Sequence, residues 1–371
     1  MYRSKNRLGG KANTLGVMVD WLGDPYQATL CDAIERGVTQ SGANLLVFVG
    51  GPLPAQPELG GCRHKVYDLA GSHNLDGLIV FSSTLSHEVG LSGVQTFALK
   101  FSDLPLCSVG LALPNTPSVT VDNEAGMKQA VRHLIERHEA RRIAFINGPA
   151  ANAESKIRLG AYKSVLEEHG LTYDEQWVLP GTFMMDSGVG ALHTLAQRLG
   201  PRLDSLDAIV AANDNMAIGA MNALERMGIS VPDGVAVVGF DDVEESRLCE
   251  PSLTTVRQPL ERVGLEAVRR LLQASGGANT PFDMRIDTEL VVRQSCGCLV
   301  AQQGQRARPP KASQQRFQVA MMGQRERIAA QLGRAARGLF SAAGRGWEQQ
   351  LLGAMIDDLI AGSSERFPVV I

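Results

Sequence analysis

Short apolar runs alternate with stretches of helical spacing from residue 14 to about residue 275. Residues 15–19, 44–49, 77–81 and 105–110 read as strands. Residues 27–41 read as a helix, with Leu30, Ile34 and Val38 on one face and Gly42 near its end. A Pro/Gly-rich loop at 50–61 and a further helix precede the third strand. A second series begins at Val119. Its helices are expected at 125–137, 157–169, 187–199 and 216–228, and its strands at 142–147, 177–179, 208–212 and 235–240. A helix at 260–274 and one late strand at 287–293 follow. Strands alternating with helices of this length imply βαβ units, parallel sheets and right-handed crossovers. Two such series predict an α/β chain with two doubly wound parallel-sheet lobes.

The strand ends carry the chemistry. In AIVAANDNMAIGAM (208–221) and VAVVGFDDVEESRL (235–248), an apolar run stops at a polar pair, Asn213-Asp214 or Asp241-Asp242. A continuous apolar run suits a strand buried on both faces. Polar groups at its carboxyl end face the crevice where open α/β sheets bind ligands. The pattern predicts a cleft for a small molecule.

Composition sets the bounds. At 371 residues, with 44% hydrophobic and 20% charged residues, the chain is of ordinary globular make-up and long enough for two lobes and more. A net charge of −3 gives no reason to expect nucleic acid or an anionic membrane as main partner. From Ala301 onward 10 Lys or Arg stand against 5 Asp or Glu, so that end is basic. No stretch approaches the roughly 18 apolar residues of a membrane span, and the basic start lacks a signal-peptide core. The expected location is the cytoplasm, with the six cysteines reduced. Cys296-Gly-Cys298 lacks paired CxxC spacing; its adjacent thiols could oxidise or hold a soft metal, but reduced thiols are the preferred reading. His133 and His138, five apart on one helix, should point about 140° apart and fail to share a metal. No metal, cofactor or catalytic residue is expected: GxSxG, HExxH and phosphate-binding glycine loops are missing.

The run AANDNMAIGAMNALERMGISVPDGVAVVGFDD, with VDNEAGMKQAVRHLIERHEARRIAFINGPAANAESKIRLGAY before it and LTTVRQPLERVG and TELVVRQSCGC after it, closely resembles the effector-binding core of lactose-repressor-type regulators. That core has a type I periplasmic-binding-protein-like fold. The resemblance spans roughly residues 14–298. It implies two lobes joined by three crossing segments: one after the 125–137 helix, one near Arg257, and one before the last strand. It also places ligand contacts at Asp241, Asn213 and Arg158, with stacking by Tyr26 and Phe183. A sugar needs a carboxylate, an amide and a guanidinium fork for its hydroxyls, and the first three residues supply them. Trp21 lines the mouth, and Asp122, beside Asn123 near the hinge, is a seventh candidate contact, as fit to bind backbone as ligand. Gln258, on a crossing strand, is expected to be structural. Asp214 and Asp242 are the expected helix caps.

The chain departs from the family pattern at both ends. Repressors of this type carry a helix-turn-helix head before the first strand, whereas residues 1–13 form only a basic tail. Direct DNA reading by this chain is therefore not expected. After residue 298 come a linker (299–313) and a helix-forming segment (314–371), whose stripe at Met321, Ile328, Leu332, Ala335 and Leu339 suits dimerisation or signalling. The apolar last residues suggest a chain cut from something longer. Cores without the head resemble sensory halves of bacterial signalling proteins. The expectation is a cytoplasmic, homodimeric, non-enzymatic sensor of a sugar or polyol. The alternatives are a protein-interaction module with a vestigial cleft, or a transcription regulator whose DNA-binding part lies elsewhere.

Overall fold

The computed structural model describes residues 13–56, 63–275 and 283–298. The basic tail, the linker and the helix-forming segment expected after residue 298 lie outside them.

The N-lobe begins with β1 (Thr14–Val19), α1 (Pro25–Gln40), β2 (Asn44–Val49), β3 (Gly77–Phe81), the single turn α2 (Ser82–Leu85), α3 (Gly90–Ala98), β4 (Leu106–Val109) and β5 (Ser118–Val121). The C-lobe follows with α4 (Asn123–His138), β6 (Ile143–Ile146), α5 (Ala153–Glu168), β7 (Val178–Leu179), α6 (Met185–Leu199), β8 (Ala208–Ala211), α7 (Asp214–Arg226), β9 (Ala236–Asp241), α8 (Glu245–Leu248) and β10 (Thr254–Arg257). The chain returns for α9 (Leu260–Ser275) and β11 (Asp283–Ile286), then crosses again to β12 (Glu289–Val291).

Each lobe holds a six-stranded sheet, ordered β11-β5-β4-β3-β1-β2 and β12-β10-β9-β8-β6-β7. All pairings are parallel except β10 with β12. The α/β architecture of two parallel-sheet lobes is therefore as the sequence pattern predicts. Strand alternation decides where each core sits. In the N-lobe Val17, Val19, Ile79 and Phe81 pack with α1 and α9, while Met18, Leu78 and Val80 pack on the other face with Tyr67 and Phe97. In the C-lobe β6, β8 and β9 are buried throughout and share one connected core with α4, α5, α6 and α7.

Several boundaries differ from expectation. The first crossing precedes α4 rather than following it, because Met127, Val131 and Leu134 bury in the C-lobe core, where α4 packs on α5 and on β8, β9 and β10. Helix α5 starts a turn earlier than the periodicity indicated. Its cap Asn152 accepts a bond from the Ser155 N–H at 2.9 Å, so Arg158 stands in the second turn. The late strand is two short strands, one in each sheet. The expected helix before β3 is a 3₁₀ turn at Arg63–Leu69. No helix among the described residues is long and apolar enough to cross a membrane.

Candidate functional site

The carboxyl ends of both sheets open on a cleft between the lobes. The N-lobe lines it with Asp20, Trp21, Asp24, Tyr26, Gln27 and His87. Arg158, Glu154, Phe183, Asn213 and Asp241 line it from the C-lobe, with Gln258 from the second crossing. Six of the seven residues expected to meet ligand are thus brought together. Asp122 is the exception. It caps α4 by accepting from the Ala125 N–H at 2.9 Å and pairs with Arg285.

Arg158 is 3% exposed and held from three sides. Its Nε donates to Asn123 Oδ1 at 2.8 Å, its Nη1 donates to the Ala212 carbonyl at 2.6 Å, and its guanidinium lies 3.8 Å from the Phe240 ring centroid. Asp241 sits 3.7 Å from Nη1 and accepts from Gln258 Nε2 at 2.6 Å. Its φ of 123° turns the chain at the strand end, a conformation L-residues rarely adopt. Burial pushes its carboxyl well above the usual range; Arg158 opposes that shift and nearby Asp214 adds to it.

The roles of the polar pairs differ from expectation. Asn213, not Asp214, caps α7: its Oδ1 accepts from the Met216 N–H at 3.0 Å, and its Nδ2 donates to the Phe183 carbonyl at 2.9 Å. One amide lone pair and one amide proton remain for the cavity. Asp214 is wholly buried, accepting from Val243 N–H at 3.1 Å and Thr255 Oγ1 at 2.5 Å. Burial pushes its carboxyl up to about 7. Asp242 caps nothing either. It gathers Arg247, Arg257 and Arg293, whose hydrogen bonds outweigh burial and hold it below the ordinary carboxylate range.

The sequence reading missed the acidic groups facing these anchors. Glu154 accepts from Asn123 Nδ2 at 3.0 Å and from Ser83 Oγ, a bond between the lobes. Asp24 caps α1 and accepts from Asn215 Nδ2 across the cleft at 3.1 Å; burial raises its carboxyl. His87 lies 5.4 Å from Phe183, ring centre to ring centre, and burial lowers its basicity. The polar residues after β1 were the available signal for Asp20 and Asp24, since a strand's carboxyl end faces the crevice. Gln258, expected to be structural, both supports Asp241 and faces the cavity. Its Oε1 and Asp20 Oδ1 are buried acceptors without a partner in the protein.

Comparison with known proteins agrees with this fold. A periplasmic binding protein-like domain model matches residues 131–296. The HTH-type transcriptional regulator CelR of Thermobifida fusca is 33% identical over 277 residues, 73% of this chain and 76% of CelR. The chain belongs to the LacI family. Its described core is an effector-binding domain of the LacI type. A structure of the CelR–cellobiose complex superposes with a TM-score of 0.65 at 32% identity, covering 76% of this chain and 84% of that one. The repressor CytR of Escherichia coli K12 is 27% identical over 304 residues, 80% of this chain and 82% of CytR. These LacI-family relatives are named as transcription regulators, not enzymes.

Proposed function

We propose that the cleft binds a small, neutral, polyhydroxylated solute, a sugar or related polyol, and that the chain is a cytoplasmic, homodimeric sensor in a regulatory protein. The observation that carries this reading is the cavity's excess of acceptors. Asp20, Asp24, Glu154 and Asp241 face a single guanidinium that already has two acceptors of its own. Hydroxyl groups satisfy such acceptors, whereas phosphorylated or carboxylated solutes add like charge. Tyr26, Phe183 and Trp21 offer apolar faces for the ring. The likeness to a regulator whose structure is a complex with cellobiose supports the same class.

A solute held by both lobes favours closure only through its differential affinity for the closed state. The 314–371 segment would pass closure to an output and to the dimer partner. Deleting residues 313–371 should then abolish ligand-dependent output, and unchanged output would remove that relay. A second reading, a transcription regulator whose DNA-binding part lies elsewhere, is favoured by the names of the relatives.

The test is thermal denaturation of the full chain against a panel of disaccharides, monosaccharides, polyols, nucleosides and amino acids. A true ligand at a hundred times its Kd stabilises by about 2.7 kcal/mol. The shift should vanish in Asp241→Ala and weaken in Asp20→Asn. A panel without any shift would favour the protein-interaction reading.

A further inference from the structure

Away from the cleft, four metal-ligating side chains converge where the described chain ends. His133 and His138 stand on the last turns of α4; Cys296 and Cys298 follow β12. The two Nε2 atoms are 3.3 Å apart. Cys298 Sγ lies 3.5 Å from His133 Nε2 and 3.3 Å from His138 Nε2, and Cys296 Sγ lies 3.4 Å from His133 Nε2. All four ligand atoms fall within 4.8 Å of one another.

A tetrahedral zinc ion, with Zn–N near 2.05 Å and Zn–S near 2.3 Å, requires N···N edges of about 3.3 Å and N···S edges of about 3.6 Å. The four edges above lie within about 0.3 Å of these values, a tolerance comparable to that for metal–ligand distances. We propose that His133, His138, Cys296 and Cys298 form a four-coordinate site for a soft divalent cation of the zinc class. Two imidazoles and two thiolates exclude calcium and magnesium, which take oxygen ligands, and a closed set of four protein ligands is the structural kind of site.

Helix geometry alone argues against this pair of histidines, and the fold shows why that argument fails. The last turn of α4 is opened: the Glu139 N–H bonds the Leu134 carbonyl, five residues back, and Glu139 is left-handed at φ 53°. That i→i+5 bond departs from the regular i→i+4 ladder where His138 stands, so the angular offset of a regular helix does not hold for this pair. Gly297, at φ 100°, reverses the chain between the cysteines so that both sulfurs meet the rings. Ser295 fixes the same segment to the C-lobe sheet, donating to the Val237 carbonyl at 2.6 Å and accepting from the Thr254 N–H at 2.8 Å. The cation would therefore clasp the end of α4 to the point where the chain leaves the domain.

The experiment is a cobalt titration of the full chain, purified under reducing conditions and stripped with chelator. One equivalent of cobalt should bind with the strong visible bands of tetrahedral coordination and a thiolate-to-cobalt charge-transfer band, and zinc should displace it. Cys296→Ser with Cys298→Ser should lose both signals, and His138→Gln should lose the tetrahedral spectrum. Sub-stoichiometric uptake, a weak octahedral spectrum, or binding retained in the double-cysteine variant would each overturn the assignment. If the double variant fails to fold, the stoichiometry and spectrum of the unaltered chain decide the matter.

Discussion

The two lobes contribute to the cleft in opposite ways. On the C-lobe side the polar groups are already engaged: Arg158 by Asn123 and Ala212, Asn213 by the α7 cap, Asp241 by Gln258. On the N-lobe side Asp20 keeps an acceptor without a partner, and Trp21 remains 49% exposed. The C-lobe groups are thus part of the fold as well as of the site. Their preorganisation lowers the cost of ordering them on binding, but it also ties binding to stability. Substitutions in the C-lobe should therefore change both, and those in the N-lobe mainly binding.

The sharpest way to break this contrast is Arg158→Ala. It strands the Asp241 carboxyl, the Asn123 amide oxygen and the Ala212 carbonyl in a buried setting, and should cost about 3–5 kcal/mol in denaturant unfolding. A loss below about 1 kcal/mol would mean that the guanidinium is not structural. Gly239→Ala comes next. A Cβ there would lie 2.2 Å from Asp214 Oδ1, so overpacking of about 1–3 kcal/mol is expected from the same measurement.

Asp214 supplies a pH signature confined to the C-lobe. Its carboxyl ionises near 7 in the folded chain against an ordinary 3.8, so between about pH 4 and 7 the folded state binds more protons than the unfolded one. This group's contribution therefore falls as pH rises through that window, by up to about 1.4 kcal/mol per unit. Asp214→Asn presents the neutral group permanently, with its amide donating to Thr255 and its oxygen accepting from Val243. The stability-versus-pH slope should flatten in the variant; an unaltered slope would place the titration elsewhere.

The N-lobe effects should be smaller and of another kind. Asp20→Asn should leave unfolding within about 0.5 kcal/mol while weakening the ligand by about 1.5–3 kcal/mol, read by calorimetry. Trp21→Ala, at the exposed rim, should move affinity least of all. Stability losses in these two variants as large as those in the C-lobe would erase the distinction between the lobes.

Much of this was legible in the sequence. β2 and β3 have the expected bounds, because an apolar run between turn residues is a local signal. Asn213 and Asp241 were readable as polar residues where apolar strands stop, and Arg158 came only from the family resemblance. Glu154 was not, since a Glu in the first turn of a helix is ordinary until Ser83 and Asn123 are seen to close on it. Helix α3 was missed because GLSGVQTFA begins with weak helix formers and is held by packing of Val94 and Phe97.

The sequence by itself therefore determined the alternation of elements, the two-lobe architecture and the chemical character of the cleft. Those depend on periodicity and on where polar groups interrupt apolar runs. Only the tertiary structure decided which member of each polar pair lines the cleft and which is held inside the protein, because Asn213 and Asp214, or Asp241 and Asp242, are adjacent and differ only in direction. It alone brought His133 and His138 beside Cys296 and Cys298, across about 160 residues of chain. That convergence depends on one opened helical turn and a left-handed glycine, and spacing along the chain encodes neither.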